Sequence, residues 1–153
     1  MKNIIFFICF LFCVNINAQK LYEGKSSYSS NIIFNVNNGY VYKGNSTYSS
    51  NSIYYFDGTY LYKSKNKSKY SSDIIGTYKD GKIYYGKSTY SSDILAIYKD
   101  NKMYKGNSTY SSNILFTYKN NKIYNGNSIY YDSMICNTSG YIHPIILYFI
   151  LLQ

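Results

Sequence analysis

The chain repeats itself every 20 residues, and that period fixes most of what it can become. Tyr22, Tyr42, Tyr62, Tyr84, Tyr104 and Tyr124 follow one another at steps of 20, with a single step of 22. A second column, Tyr28, Tyr48, Tyr70, Tyr90, Tyr110 and Tyr130, keeps the same spacing. The two extra residues lie in the lysine-rich stretch 63–69, which reads as a loop extension. A unit this short cannot bury an apolar face alone, so successive units must pack against one another.

Within the unit, a tyrosine is followed two residues later by glycine at 24, 44, 86, 106 and 126, with Ser64 in the remaining copy. The triplet Tyr-Ser-Ser begins at 28, 48, 70, 90 and 110 and leads into Asn31, Asn51, Asp73, Asp93 and Asn113; the sixth copy, Tyr130-Tyr131-Asp132, departs from it. Two β-like runs rich in isoleucine, tyrosine and threonine flank a tight turn, as in 93–99 and 102–105. Asn38-Gly39, Asp57-Gly58, Asp80-Gly81, Asp100-Asn101 and Asn120-Asn121 are residues that accept the positive φ of two-residue hairpin turns. Each unit is therefore expected to be one hairpin. Ile33, Ile53, Ile75, Leu95 and Leu115 in the first strand, with Val41, Leu61, Ile83, Met103 and Ile123 in the second, are the expected core.

A lone hairpin is marginal in water because its apolar face has no partner. The expected fold is all-β: a ring of about six short hairpins of roughly 20 residues each, favoured over an open stack by the end of the chain. There Gly140-Tyr141-Ile142-His143-Pro144 precedes eight apolar residues, Ile145 to Leu152. That run is too apolar to stay exposed and too short to cross a bilayer, which takes about 20 residues. Residues 142–153 are read as a closing segment, a buried strand or a short helix, behind a repeat domain spanning 19–141. Residues 140–143 look like the start of one more second strand.

At Ile83-Tyr84-Tyr85-Gly86-Lys87-Ser88-Thr89-Tyr90-Ser91-Ser92-Asp93-Ile94-Leu95, and in its copies from about Leu21 to Ile129, the chain resembles the bacterial β-flower repeat proteins of the four-fold and five-fold kinds. The resemblance implies short hairpins set as petals about a central axis in an exported domain of uncharacterised function. It carries no catalytic residues over. Choline-binding cell-wall repeats and membrane-occupation repeats are less similar: the former depend on tryptophan, of which there is none here, and the latter hold more glycine per unit.

Residues 1–18 have the three parts of a secretory signal: Lys2, an apolar run from Ile4 to Val14, and Ala18 before Gln19. Cleavage after Ala18 places the protein in the periplasm, on the cell surface or outside the cell. The 11-residue run does not reach across a bilayer. Cys9 and Cys13, which follow the bulky Ile8 and Phe12, are poor lipid-attachment sites. The mature chain would keep only Cys136, so no internal disulfide can form, and the thiol falls in the column of Phe34, Tyr54, Gly76, Ala96 and Phe116, where a small buried side chain fits. All 16 cationic residues are lysines, spread over turns and strands. Without the planar fork of arginine or a basic face, nucleic acid is not an expected partner.

For chemistry the sequence offers little. His143 is the one histidine and stands at the join of repeat and tail, where a structural role is expected, and no nucleophile elbow accompanies the many serines. In the column Asn31, Asn51, Asp73, Asp93 and Asn113 only two members are charged, so loop hydrogen bonding is expected there and not a metal. No enzyme activity and no cofactor are expected. Tyr28, Tyr48, Tyr70, Tyr90 and Tyr110 are the candidate ligand-binding residues, because a flat ring, a hydroxyl and adjacent serines suit a polar ligand such as a glycan or another cell-envelope component. The competing structural role packs those rings between hairpins. The functional expectation is a non-catalytic binding module; the alternative is an assembly protein that docks or oligomerises through its apolar tail.

Overall fold

The computed structural model describes residues 18–63 and 70–153, so residues 1–17 of the expected signal segment and residues 64–69 of the expected loop extension at 63–69 lie outside the described residues. Twelve strands follow in order: β1 (Gln19–Glu23), β2 (Ile32–Asn37), β3 (Tyr40–Lys43), β4 (Ser52–Phe56), β5 (Tyr60–Lys63), β6 (Ile74–Lys79), β7 (Lys82–Tyr85), β8 (Ile94–Lys99), β9 (Lys102–Lys105), β10 (Ile114–Lys119), β11 (Lys122–Asn125) and β12 (Met134–Thr138). Each pairs antiparallel with its sequence neighbours, and β12 returns to β1 to close a barrel. A helix, α1 (Pro144–Leu152), ends the chain.

Five petals are hairpins: β2–β3, β4–β5, β6–β7, β8–β9 and β10–β11. The sixth is assembled from the two ends of the chain. Cys136 faces Glu23 and Thr138 faces Leu21, the register that Ala96↔Lys105 and Tyr98↔Met103 adopt within a hairpin. At the place of the missing turn, Ser139 N–H donates to the Lys20 carbonyl at 3.0 Å and Lys20 N–H to Ser139 Oγ at 2.8 Å. The second strand of the last petal is thus β1. Residues 140–143, expected to begin such a strand, lead instead into α1.

Four turns match expectation, with positive φ at Asn38-Gly39, Asp80-Gly81, Asp100-Asn101 and Asn120-Asn121. The fifth is a three-residue connection, 57–59, in which Asp57 Oδ1 accepts the N–H groups of Thr59 and Tyr60. Between petals every pairing carries a β-bulge, at Ile33, Ile53, Ile75, Leu95, Leu115 and Ile135. Bulges bend a strand and raise its twist, which is how a sheet of short strands curls into a ring. The repeat glycine completes the corner: Gly44, Gly86, Gly106 and Gly126 donate N–H to the bulged residue's carbonyl. The two expected core columns are buried to different degrees. Val41, Leu61, Ile83, Met103 and Ile123 are fully buried, whereas the first-strand column is the bulge and packs against the core while only partly covered.

Eight strands close around their own side chains, and twelve leave a wider bore. α1 fills it. Its nine residues, PIILYFILL, are apolar on every side, as a helix surrounded by sheet must be. At about 1.5 Å per residue it spans the height of a four- to six-residue strand. Ile145, Ile146, Leu147, Tyr148 and Phe149 are buried among the barrel's inner side chains. Residues 145–149 of the apolar tail are therefore core, and Leu152 at its end stays exposed. Pro144 occupies the first helical turn, where its missing N–H costs nothing.

Candidate functional site: a ring of exposed tyrosines

Between petals the chain turns outward and forms a short 3-10 turn, always immediately after a member of the second tyrosine column. The backbone there is locked by the repeat's own polar residues. Asn31, Asn51, Asp73, Asp93, Asn113 and Ser133 donate N–H to the tyrosine carbonyl three residues earlier. The backbone N–H groups of Tyr28, Tyr48, Tyr90, Tyr110 and Tyr130 donate to the serine hydroxyl two residues before them. That serine is held in turn by the last residue of the 3-10 turn: Asn51 Nδ2 donates to Ser46 Oγ at 2.9 Å, and Ser88 Oγ donates to Asp93. On the outer wall Thr77 and Thr117 hydroxyls donate to the Gly86 and Gly126 carbonyls, pinning the following link. The serines and the Asn/Asp column are engaged in shaping this link.

The tyrosine rings take no part in it. Tyr28, Tyr48, Tyr70, Tyr90 and Tyr110 are 70 to 77% exposed. They neither converge on a cavity nor pack between hairpins; they stand one per link around the outside of the barrel. Tyr130 belongs with them at 79% exposure. Its altered triplet keeps it out of the expected set, although its column position is intact. Six rings are therefore offered to solvent on backbones that are fixed.

The sixth link's departure has its own contact. Lys25, from the first link, lies 3.4 Å from Asp132 Oδ1 and 3.8 Å from the centre of the Tyr131 ring, so the two residues that replace Ser-Ser meet the neighbouring link across the seam. The first tyrosine column also lies on the outer wall, alternating along its strands with the inward Leu61, Ile83, Met103 and Ile123. Tyr62, Tyr84, Tyr104 and Tyr124 are buried and lie opposite Ile74, Ile94, Ile114 and Met134 on the adjacent strands.

The two groups with possible reactivity are inward. His143 lies between the rings of Phe56 and Tyr78, at 4.4 and 4.5 Å between centres. Its Nδ1 is buried without a hydrogen-bond partner, and burial lowers its pKa to about 4. It is a neutral packing group at ordinary pH. Cys136 is buried, and burial pushes its thiol up to about 11, which keeps the nucleophilic thiolate scarce. Among the described residues no three His, Cys, Asp or Glu side chains come together as metal ligands.

A closed ring of six hairpin petals with links on the outside is the architecture named by the family that matches residues 14–148, described as 6-fold beta flower protein. The chain belongs to that family. The four-fold and five-fold kinds suggested by the repeat are thus replaced by the six-fold β-flower, whose count is reached only when β1 and β12 are taken as one petal. Neither a curated protein nor a solved structure matches the chain.

Proposed function

We propose that this six-fold β-flower is a non-catalytic binding module of an exported protein, and that its ring of tyrosines engages a repetitive polymer of the cell envelope, with glycan the first class to test. The observation that carries the reading is the exposure of all six rings on locked 3-10 turns. A large apolar ring left in water does nothing for folding, whereas a rigid aromatic face with a hydroxyl at its tip loses little entropy when a polar ligand lies against it. Six copies on one body add avidity: each weak contact raises the local concentration of the next. Export is supported by the pattern of residues 1–18 and by β1 starting at Gln19, the residue that follows the expected cleavage point.

The test is co-sedimentation of the 19–153 chain with insoluble peptidoglycan and with a panel of insoluble polysaccharides. Retention is expected on at least one polymer. The Tyr90→Ala, Tyr110→Ala double variant should weaken it several-fold, and removal of all six rings should abolish it while circular dichroism stays unchanged. Absence of retention across the panel, or retention that survives loss of all six rings, sinks the reading.

A further inference from the structure

The repeat is broken at four places that the ring of tyrosines does not explain, and the four meet at one groove. It is a depression of about 600 Å³ on the outer wall between the fourth and fifth petals, and its lining includes Asn101, Asn121, Ile129 and Tyr141. Two of the tight turns place glycine at their second position, Gly39 and Gly81; the two that border the groove place Asn101 and Asn121 there instead, at φ of 60° and 58°. Glycine adopts that left-handed conformation at no steric cost, and asparagine tolerates it less readily. Ile129 stands where the corresponding links have Ser27, Thr47, Thr89 and Thr109, and it is 49% exposed.

Tyr141 comes from the tail, outside the repeat altogether. Its ring stacks on Tyr118 at 5.8 Å and 21°, and it remains 54% exposed. Tyr118 fixes this stretch of chain: its hydroxyl donates to the Gly140 carbonyl at 2.8 Å and accepts the Ile142 N–H at 3.3 Å. The result is a rigid aromatic platform with one free face, beside amides from two turns and a third from Asn127, and with Lys102 and Lys119 along the wall against a single carboxylate, Asp100.

We propose that this groove is a second, single binding site, for a short acidic saccharide: a sugar ring lies on Tyr141, its hydroxyls bond the amides of Asn101, Asn121 and Asn127, and its carboxylate faces Lys102 and Lys119. The proposal rests on the reading of the protein as a binding module, but not on the tyrosine ring. Amides exchange hydrogen bonds with vicinal hydroxyls as both donors and acceptors, which lysine alone cannot do, and an aromatic face supplies the apolar contact that a sugar's C–H face seeks. Asparagine accepts the left-handed conformation less readily than glycine, and its use at the second position of these two neighbouring turns sets two amide side chains at the groove.

The experiment is an NMR titration of the 19–153 chain with an oligogalacturonate tetrasaccharide, and with a neutral tetrasaccharide as control. Saturable shifts are expected at the amides of residues 100–102, 117–121, 127–129 and 141 with the acidic sugar, and at least ten-fold weaker binding of the neutral one. The Asn101→Gly, Asn121→Gly variant places glycine where Gly39 and Gly81 already serve, so it should keep its melting temperature while losing at least five-fold in affinity; Tyr141→Ala should lose as much. Shifts confined to the exposed links, equal binding of acidic and neutral sugars, or affinity unaltered by the glycine substitutions overturns the proposal. The polymer-retention result decides the tyrosine ring separately.

Discussion

Two columns of the repeat, one inside the barrel and one outside, have fared in opposite ways. The inner column reads Phe34, Tyr54, Gly76, Ala96, Phe116 and Cys136, while the outer one is tyrosine six times. The inner residues vary because a helix inside a ring cannot touch six sides alike. Where α1 comes closest the wall must be thin: a Cβ on Gly76 would lie 2.7 Å from the Phe149 ring and 3.3 Å from Ile145 Cδ1. On another side Tyr54 is large enough to meet Phe149 edge-on at 6.3 Å. The outer rings have no asymmetric neighbour to fit, and burial does not hold them as tyrosine. Divergence at a buried position here records packing, and uniformity at an exposed one points to a role outside the molecule.

The contrast can be broken most severely by removing α1. Each buried side chain of Ile145, Ile146, Leu147 and Phe149 is worth about 2–5 kcal/mol, and domains hold only about 5–15 in total. A chain ending at Gly140 is expected to show no cooperative melt and to precipitate.

His143 gives the next largest effect. Its folded pKa of about 4 lies below the ordinary 6.5, so the unfolded chain takes up the proton first. The contribution of the neutral ring is complete above pH 6.5 and is lost as the pH falls through 4, reaching roughly 3 kcal/mol if the whole shift is expressed. Carboxylates titrate in the same window, so the quantity to measure by denaturant titration is wild type minus His143→Phe. A difference that stays flat from pH 7 to 4 would show that the imidazole is not desolvated.

Gly76→Ala should cost about 2 kcal/mol by overpacking, and Phe149→Leu in that background should return part of it. The same alanine is already tolerated at Ala96, one petal away. At the outer column Tyr90→Ser should change stability by no more than about 0.5 kcal/mol in the same assay. A larger loss there would mean that the rings support the fold, and the difference between the columns would no longer indicate function.

Much of this was legible from the period alone. The hairpins, four of the five turns, the second-strand core and the small buried thiol at Cys136 follow from residue type and spacing. The bulge was not, because Ile33 and its equivalents are apolar whether they line a core or bend a strand, and only pairing distinguishes the two. The sixth petal was hidden for a different reason: its strands are 111 residues apart from the end of β1 to the start of β12, and no turn joins them. Nor could spacing say which way Tyr28 and its copies face, since one residue of register reverses a side chain. The groove was written in departures, such as Asn101, Asn121 and Ile129, that carry meaning only once they are seen to be neighbours.

The petal made from both ends gives the chain an assembly order. Among the described strands β1 is made first and β12 last, so five petals can zip up locally as they emerge while β1, paired with β2 on one edge, waits for its other partner. The closing pair has the longest loop to close in the molecule, and the helix that fills the bore follows directly behind it. Circle and filling are thus completed together, in one late step that a truncated copy cannot take.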